Sequence, residues 1–131
     1  MIKYSISHEL EQLAEIVVDC GFQVHKALGP GLLESAYEAC MAHELSLRSI
    51  RFKTQVPLPV VYKNVTIDAG YRIDLLIEDK IIIELKAVEK MNPLYEAQII
   101  TYLKMTGIPL GFLMNFNTLY FKDGIKRIVY K

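Results

Sequence analysis

Residues 71–90 read YRIDLLIEDKIIIELKAVEK, and the way this stretch folds decides the rest of the chain. Ile73, Leu75, Leu76, Ile77, Ile81, Ile82, Ile83 and Leu85 supply the apolar residues of two strands joined by a short turn. Asp74, Glu84 and Lys86 interrupt them. A charge in a strand this apolar is costly to bury unless something pairs with it. A three-residue loop, Glu78-Asp79-Lys80, pairs Ile77 with Ile81 and sets Asp74 opposite Glu84. Side chains alternate along a strand, so Asp74, Glu84 and Lys86 then share one face and Ile73, Leu75, Ile77, Ile81, Ile83 and Leu85 the other. A two-residue loop separates Asp74 from Glu84. The apolar pattern is compatible with both registers.

The three charges together have a readable chemistry. Two neighbouring carboxylates repel and resist joint ionisation, and a divalent cation relieves the repulsion. Oxygen ligands with retained waters suit Mg²⁺ or Mn²⁺ better than zinc. A lysine two residues along the strand is placed to orient or deprotonate water, or to stabilise charge developing on a phosphate. The bland alternative is an ion-pair cluster on a solvated sheet face.

Outward from this hairpin, the pattern predicts a mixed α/β (α+β) fold in the order α-α-β-β-β-α-β-β-β. Leu10, Leu13, Val17, Cys20, Val24 and Leu28 recur at helical spacing over residues 7–28, and the helix stops at Gly29-Pro30-Gly31. A second helix is expected over about residues 31–48. Residues 52–77 are β-rich, with Lys63-Asn64 as a turn. Pro57 and Pro59 put the first strand at a sheet edge, because proline donates nothing to a ladder. Asn92, Pro93 and Gly107 mark the cap, first position and stop of a third helix. Residues 109–116 read as a strand and residues 118–131 as a closing hairpin on a type I′ Asp123-Gly124 turn.

The 131 residues, 52% of them hydrophobic, are expected to form one domain spanning 1–131. Lys plus Arg equals Asp plus Glu at 15 each, which argues against a large basic footprint for nucleic acid. The first twenty residues carry four acidic side chains and no long apolar core, so no signal peptide is read there. No apolar run approaches the ~20 residues of a membrane span. Two cysteines fit free thiols and a cytoplasmic location. Cys20, His25, Cys40 and His43 make a poor zinc set, since Cys20 and His25 do not share a helix face. Lys90, Lys104 and the group Lys122, Lys126, Arg127 and Lys131 are candidate basic patches, with a solvated face as the default.

Asp74, nine intervening residues and Glu84-Leu85-Lys86 resemble the catalytic signature of the PD-(D/E)XK nuclease superfamily. Gln98 and Tyr102, in QIITY, are similar to the Gln-x-x-x-Tyr motif of RecB-like nucleases, and their spacing puts both on one helix face. Residues 31–37, GLLESAY, resemble the Gly-x-x-Glu-x-x-Tyr motif of the small bacterial GxxExxY proteins, a branch of that superfamily. Position 73 is Ile where the superfamily name has Pro.

The resemblance implies a restriction-endonuclease-like core and phosphodiester hydrolysis with Mg²⁺ or Mn²⁺. It implies Asp74 and Glu84 as metal ligands and Lys86 as the residue that positions or activates water. Gln98 and Tyr102 act as support or substrate contacts. Glu34 has two readings: a capping-box acid if Gly31 is the N-cap, or, as the resemblance implies, a carboxylate joining the metal site. Tyr37 is read as core packing with its hydroxyl toward the site, and His25 as a helix-end or surface histidine, with phosphate contact as the alternative. Nucleic acid, DNA first, is the expected partner; a membrane is not, and a homodimer is left open. The rivals are a non-catalytic module of the same fold that binds nucleic acid or protein, and a hydrolase of another phosphate ester.

Overall fold

In the computed structural model, which describes residues 6–130, the chain runs as α1 (His8–Leu28), α2 (Glu34–Leu47), β1 (Phe52–Pro57), β2 (Val60–Tyr62), β3 (Val65–Ile67), β4 (Arg72–Ile77), β5 (Ile81–Lys86), α3 (Pro93–Thr106), β6 (Leu110–Asn115), a 3-10 turn (Phe121–Asp123) and β7 (Ile125–Val129). Five strands form one mixed sheet in the order β1-β4-β5-β6-β7, with β5 and β6 parallel and the other pairs antiparallel. The fold class expected from the sequence is the one observed.

The helices begin and end where local chemistry directs. Ser7 caps α1 by accepting from the Leu10 N–H at 3.1 Å. Asn92 caps α3 through Leu94 N–H at 2.9 Å, and Gly107 closes it in the left-handed conformation at φ 77°. α1 and α2 cover one face of the sheet and α3 the other. The first face buries Val17, Tyr37, Met41 and Leu45 against Leu75, Ile77, Ile81, Ile83 and Leu85. The second buries Ile99, Tyr102 and Leu103 with Leu76, Ile82 and Leu113. The central strands β5 and β6 are thus covered on both sides, which explains their nearly unbroken apolar run.

Four expectations need correction. The element order differs, because the chain between β1 and β4 folds on itself as the separate arm β2–β3 after Pro57 and Pro59 end β1. Its turn is Lys63-Asn64, as expected, with both residues at positive φ. Second, the closing hairpin expected over residues 118–131 is absent among the described residues. β7 pairs back with β6 across a loop in which Leu119 is 83% exposed, and Lys131 lies outside the described residues. Gly124 has φ −104°, so it does not serve a type I′ turn. A Cβ there would lie 2.0 Å from the Asn115 carbonyl oxygen, so the position requires glycine for close approach. Third, α2 starts at Glu34 rather than near 31, because Gly31 at φ 105° and Leu33 in extended backbone keep the turn going. Fourth, Ile73 packs in the α3-side cluster. It sits past the last Cα pair of β4 with β5, opposite Val56 of β1, where the shared face is no longer enforced.

The candidate active site

Ile77 pairs with Ile81, Leu76 with Ile82 and Leu75 with Ile83, so the loop has three residues, and Glu78 and Asp79 take the positive φ it needs. Beyond Leu75–Ile83 the β4–β5 pairing stops although both strands continue. The two carboxylates take over the backbone groups left there. Leu85 N–H donates to Asp74 Oδ2 at 2.8 Å, and Asp74 N–H donates to Glu84 Oε1 at 3.3 Å. Each acid is therefore held by the other's strand. The opened ladder leaves the pair at a fork between β4 and β5.

Glu84 is buried, at 4% exposure. Burial, and next the charge of Asp74, push its pKa up from 4.5 to about 8, against the opposing pull of Lys86. Lys86, two residues on, continues the Glu84 face of β5. Its ammonium lies over the Tyr95 ring at 4.5 Å from the centroid, held by cation–π attraction.

α3 supplies the wall above these charges. Gln98 Nε2 donates to the Tyr102 hydroxyl at 2.9 Å, one helical turn away. Burial, followed by the charge of Glu84, pushes the Tyr102 phenol up to about 12, which keeps it a neutral donor. Tyr102, with Gln98 bonded to it, therefore lies within electrostatic reach of Glu84 and Asp74.

On α2 the carboxylate connected to the site is Glu38. Gln55 Nε2 donates to Glu38 Oε1 at 2.5 Å and to Asp74 Oδ1 at 3.2 Å. Gln55 lies mid-strand in β1, facing Asp74 across the ladder, yet has φ 51°, a conformation that non-glycine residues seldom adopt. Glu34 lies one turn before Glu38 on the same helix face. It is exposed and has no hydrogen-bond or ion-pair partner among the described residues. Its capping-box reading fails: the N-cap is Leu33, and no side chain caps α2.

Tyr37 and His25 serve the scaffold. Tyr37 is fully buried and stacked on Phe116 with ring centroids 4.5 Å apart, as core packing predicts. Its hydroxyl does not aim at the site. It donates to Gly29 O at 2.6 Å and accepts from Leu32 N–H at 3.2 Å, pinning the Gly-Pro-Gly turn. His25 stands in the last turn of α1, as expected, but it is buried with Nε2 2.7 Å from the Thr118 carbonyl, and so anchors the 116–124 loop instead of opening to phosphate.

Sequence reading missed three residues: Glu38, Gln55 and Asn115. Buried Asn115 accepts from Val88 N–H and Asn117 N–H, both at 3.1 Å, and donates to Val88 O at 3.0 Å. It thereby holds the chain just after Lys86, its cross-strand partner. An asparagine inside the apolar run GFLMNF was the available signal.

The basic patches are dispersed. Lys126 pairs with Glu96 at 2.6 Å, and Arg127 with Glu11. Cys20 and Cys40 are free thiols, and among the described residues no group of three or more His, Cys, Asp or Glu side chains gathers into a ready metal cage. Two carboxylates at a fork do fit a magnesium-type cation, which takes one or two carboxylates and completes its shell with water and substrate oxygens. Burial raises Glu84 first and the charge of Asp74 second, and such a cation would relieve that second, repulsive part. No helix among the described residues is long and apolar enough to cross a membrane.

The sheet thus opens at a carboxylate pair, with Lys86 two residues along β5 and the Gln98–Tyr102 pair on α3. The chain belongs to the PD-(D/E)XK nuclease superfamily, whose family model matches residues 11–128. Searches of curated proteins and of solved structures returned no match.

Proposed function

We propose that this domain is a divalent-metal-dependent nuclease, with DNA as the first substrate to test. The observation that carries the reading is the reciprocal carboxylate–amide bonding at the β4–β5 fork, with Leu85 N–H on Asp74 and Asp74 N–H on Glu84. That geometry spends two strand positions on holding acids side by side, which a merely solvated ion pair does not need. Asp74 and Glu84 would hold Mg²⁺ or Mn²⁺. When bound, the cation would offset the carboxylate charge and polarise a phosphate oxygen or an attacking water.

The remaining roles fall to side chains of this chain. Lys86 brings the one ammonium of the motif beside the pair, where it orients water or neutralises charge developing on the phosphate. Tyr102, kept protonated, and Gln98 orient the substrate from α3. Glu38, linked to Asp74 through Gln55, is the α2 carboxylate best supported as a partner of the metal shell, with Glu34 one turn behind it. The Gly31, Glu34 and Tyr37 spacing supports the GxxExxY branch of the superfamily.

The test is a cleavage assay with Mg²⁺ and Mn²⁺ across DNA and RNA forms, run beside thermal melts with and without metal. Metal-dependent cleavage that Lys86→Ala abolishes, with a metal-dependent rise in melting temperature, is the expected result. No shift at millimolar metal, with or without DNA, overturns the reading in favour of a non-catalytic module.

A further inference from the structure

A groove of about 560 Å³ opens along α3, between that helix and the residues that lead into β2 and β4. Its walls include Val60, Tyr71, Leu94, Tyr95, Gln98 and Tyr102. The lining is mostly apolar and aromatic. Leu94 is 71% exposed and Tyr71 44% exposed, although both are large hydrophobic side chains. Tyr71 stands edge-on to Tyr102 with ring centroids 6.3 Å apart. The groove is continuous with the candidate active site: Gln98 and Tyr102 belong to both, and Tyr95 carries the Lys86 ammonium on its ring.

This continuity restricts the occupant. A polynucleotide whose phosphate reaches Asp74, Glu84 and Lys86 carries the neighbouring nucleoside over the groove. Aromatic and aliphatic walls gain by contact with the flat face of a base, and every base has such a face. In a closed duplex both faces are covered by stacking; in an unpaired nucleotide they are open. Charge points the same way. The chain has 15 basic and 15 acidic residues, and Lys126 and Arg127 are engaged by Glu96 and Glu11, so net charge supplies no excess attraction for a closed duplex.

We infer that this groove is a nucleobase subsite, which takes an unpaired nucleotide adjacent to the scissile phosphate and directs the domain to single-stranded or splayed nucleic acid over closed duplex. The inference deepens the nuclease reading above and rests on it for the position of the phosphate.

The experiment is fluorescence anisotropy with the full chain in EDTA, where cleavage cannot occur. Three labelled DNAs serve as probes: a single strand, a duplex with a splayed end and a closed dumbbell duplex. Each is titrated with the wild type and with Tyr71→Ala, Tyr71→Phe and Leu94→Ser. Tyr71→Ala and Leu94→Ser each weaken binding of the single strand and the splayed end about tenfold, the effect of losing one stacked base. Dumbbell binding stays as it was, and Tyr71→Phe binds like the wild type. The single-strand affinity also falls only shallowly with salt.

Equal affinity of wild type and both truncating variants for the single strand overturns the subsite, as does an equal loss on all three probes. A parallel cleavage assay with Mg²⁺ separates the two readings. Cleavage that depends on Lys86 but ignores Tyr71 and Leu94 sinks the subsite and leaves the nuclease standing. Tyr71-dependent binding of unpaired DNA without any cleavage does the reverse.

Discussion

Glu84→Gln should stabilise the metal-free protein at alkaline pH and remove its response to metal. Glu84 is buried beside Asp74, and its pKa rises from 4.5 to about 8 in the folded chain. A carboxyl raised on folding stays protonated in the native state at pH values where the unfolded chain has already lost the proton. The unfolded state then binds fewer protons, so stability is fullest below about 4.5 and falls as the pH climbs to about 8. The interval is roughly three and a half pH units at about 1.4 kcal/mol each, which sets a ceiling near 5 kcal/mol. Glutamine keeps the oxygen that accepts from Asp74 N–H and adds a donor for the Asp74 carboxylate, without the buried charge.

The assay is urea unfolding of wild type and variant from pH 4.5 to pH 9, in EDTA. The difference between the two isolates this group, because Glu11, Asp19 and Glu78, lowered by hydrogen bonds from Arg127, Arg48 and the Arg51 backbone, are common to both. The curves should converge near pH 4.5 and separate toward pH 9 with the variant on top. Mg²⁺ at a hundred times its Kd should add about 2.7 kcal/mol to the wild type and nothing to the variant. Parallel curves across this range would refute the account of a buried, mutually repelling pair.

Lys86→Ala should cut cleavage at least about a hundredfold while the metal-dependent melting shift persists, measured by initial rates and thermal melts. Glu38→Gln should weaken Mg²⁺ binding about tenfold by calorimetry, and Glu34→Gln should weaken it less, because only Glu38 is tied to Asp74 through Gln55. Asn115→Ala should cost about 3 kcal/mol in urea unfolding, since it strands Val88 N–H, Val88 C=O and Asn117 N–H together. Gly124→Ala should cost at least about 3 kcal/mol by the same measure, because its Cβ would collide with the Asn115 backbone oxygen.

What the sequence determined by itself was local or strictly periodic. Ser7, Asn92, Pro93 and Gly107 mark helix ends because a cap acts on amides within its own turn. Pro57, the last residue of β1, and Pro59 beyond it keep that strand at an edge, and the spacing from Asp74 to Glu84 and Lys86 holds the acids and the lysine of the site. The choice of a three-residue loop over a two-residue one was not in the pattern. With β5 buried on both faces, its apolar residues have no polar side to fix the register, and only the folded chain shows Ile77 paired with Ile81. The same holds for Glu38 and Gln55, which are 17 residues apart in the chain and meet 2.5 Å from each other only because α2 crosses beside β1. Asp123-Gly124 misled for the same reason. Its local signal is a tight hairpin turn, but Gly124 answers to the Asn115 carbonyl pressed against it across the β6–β7 loop, a contact that no turn propensity encodes.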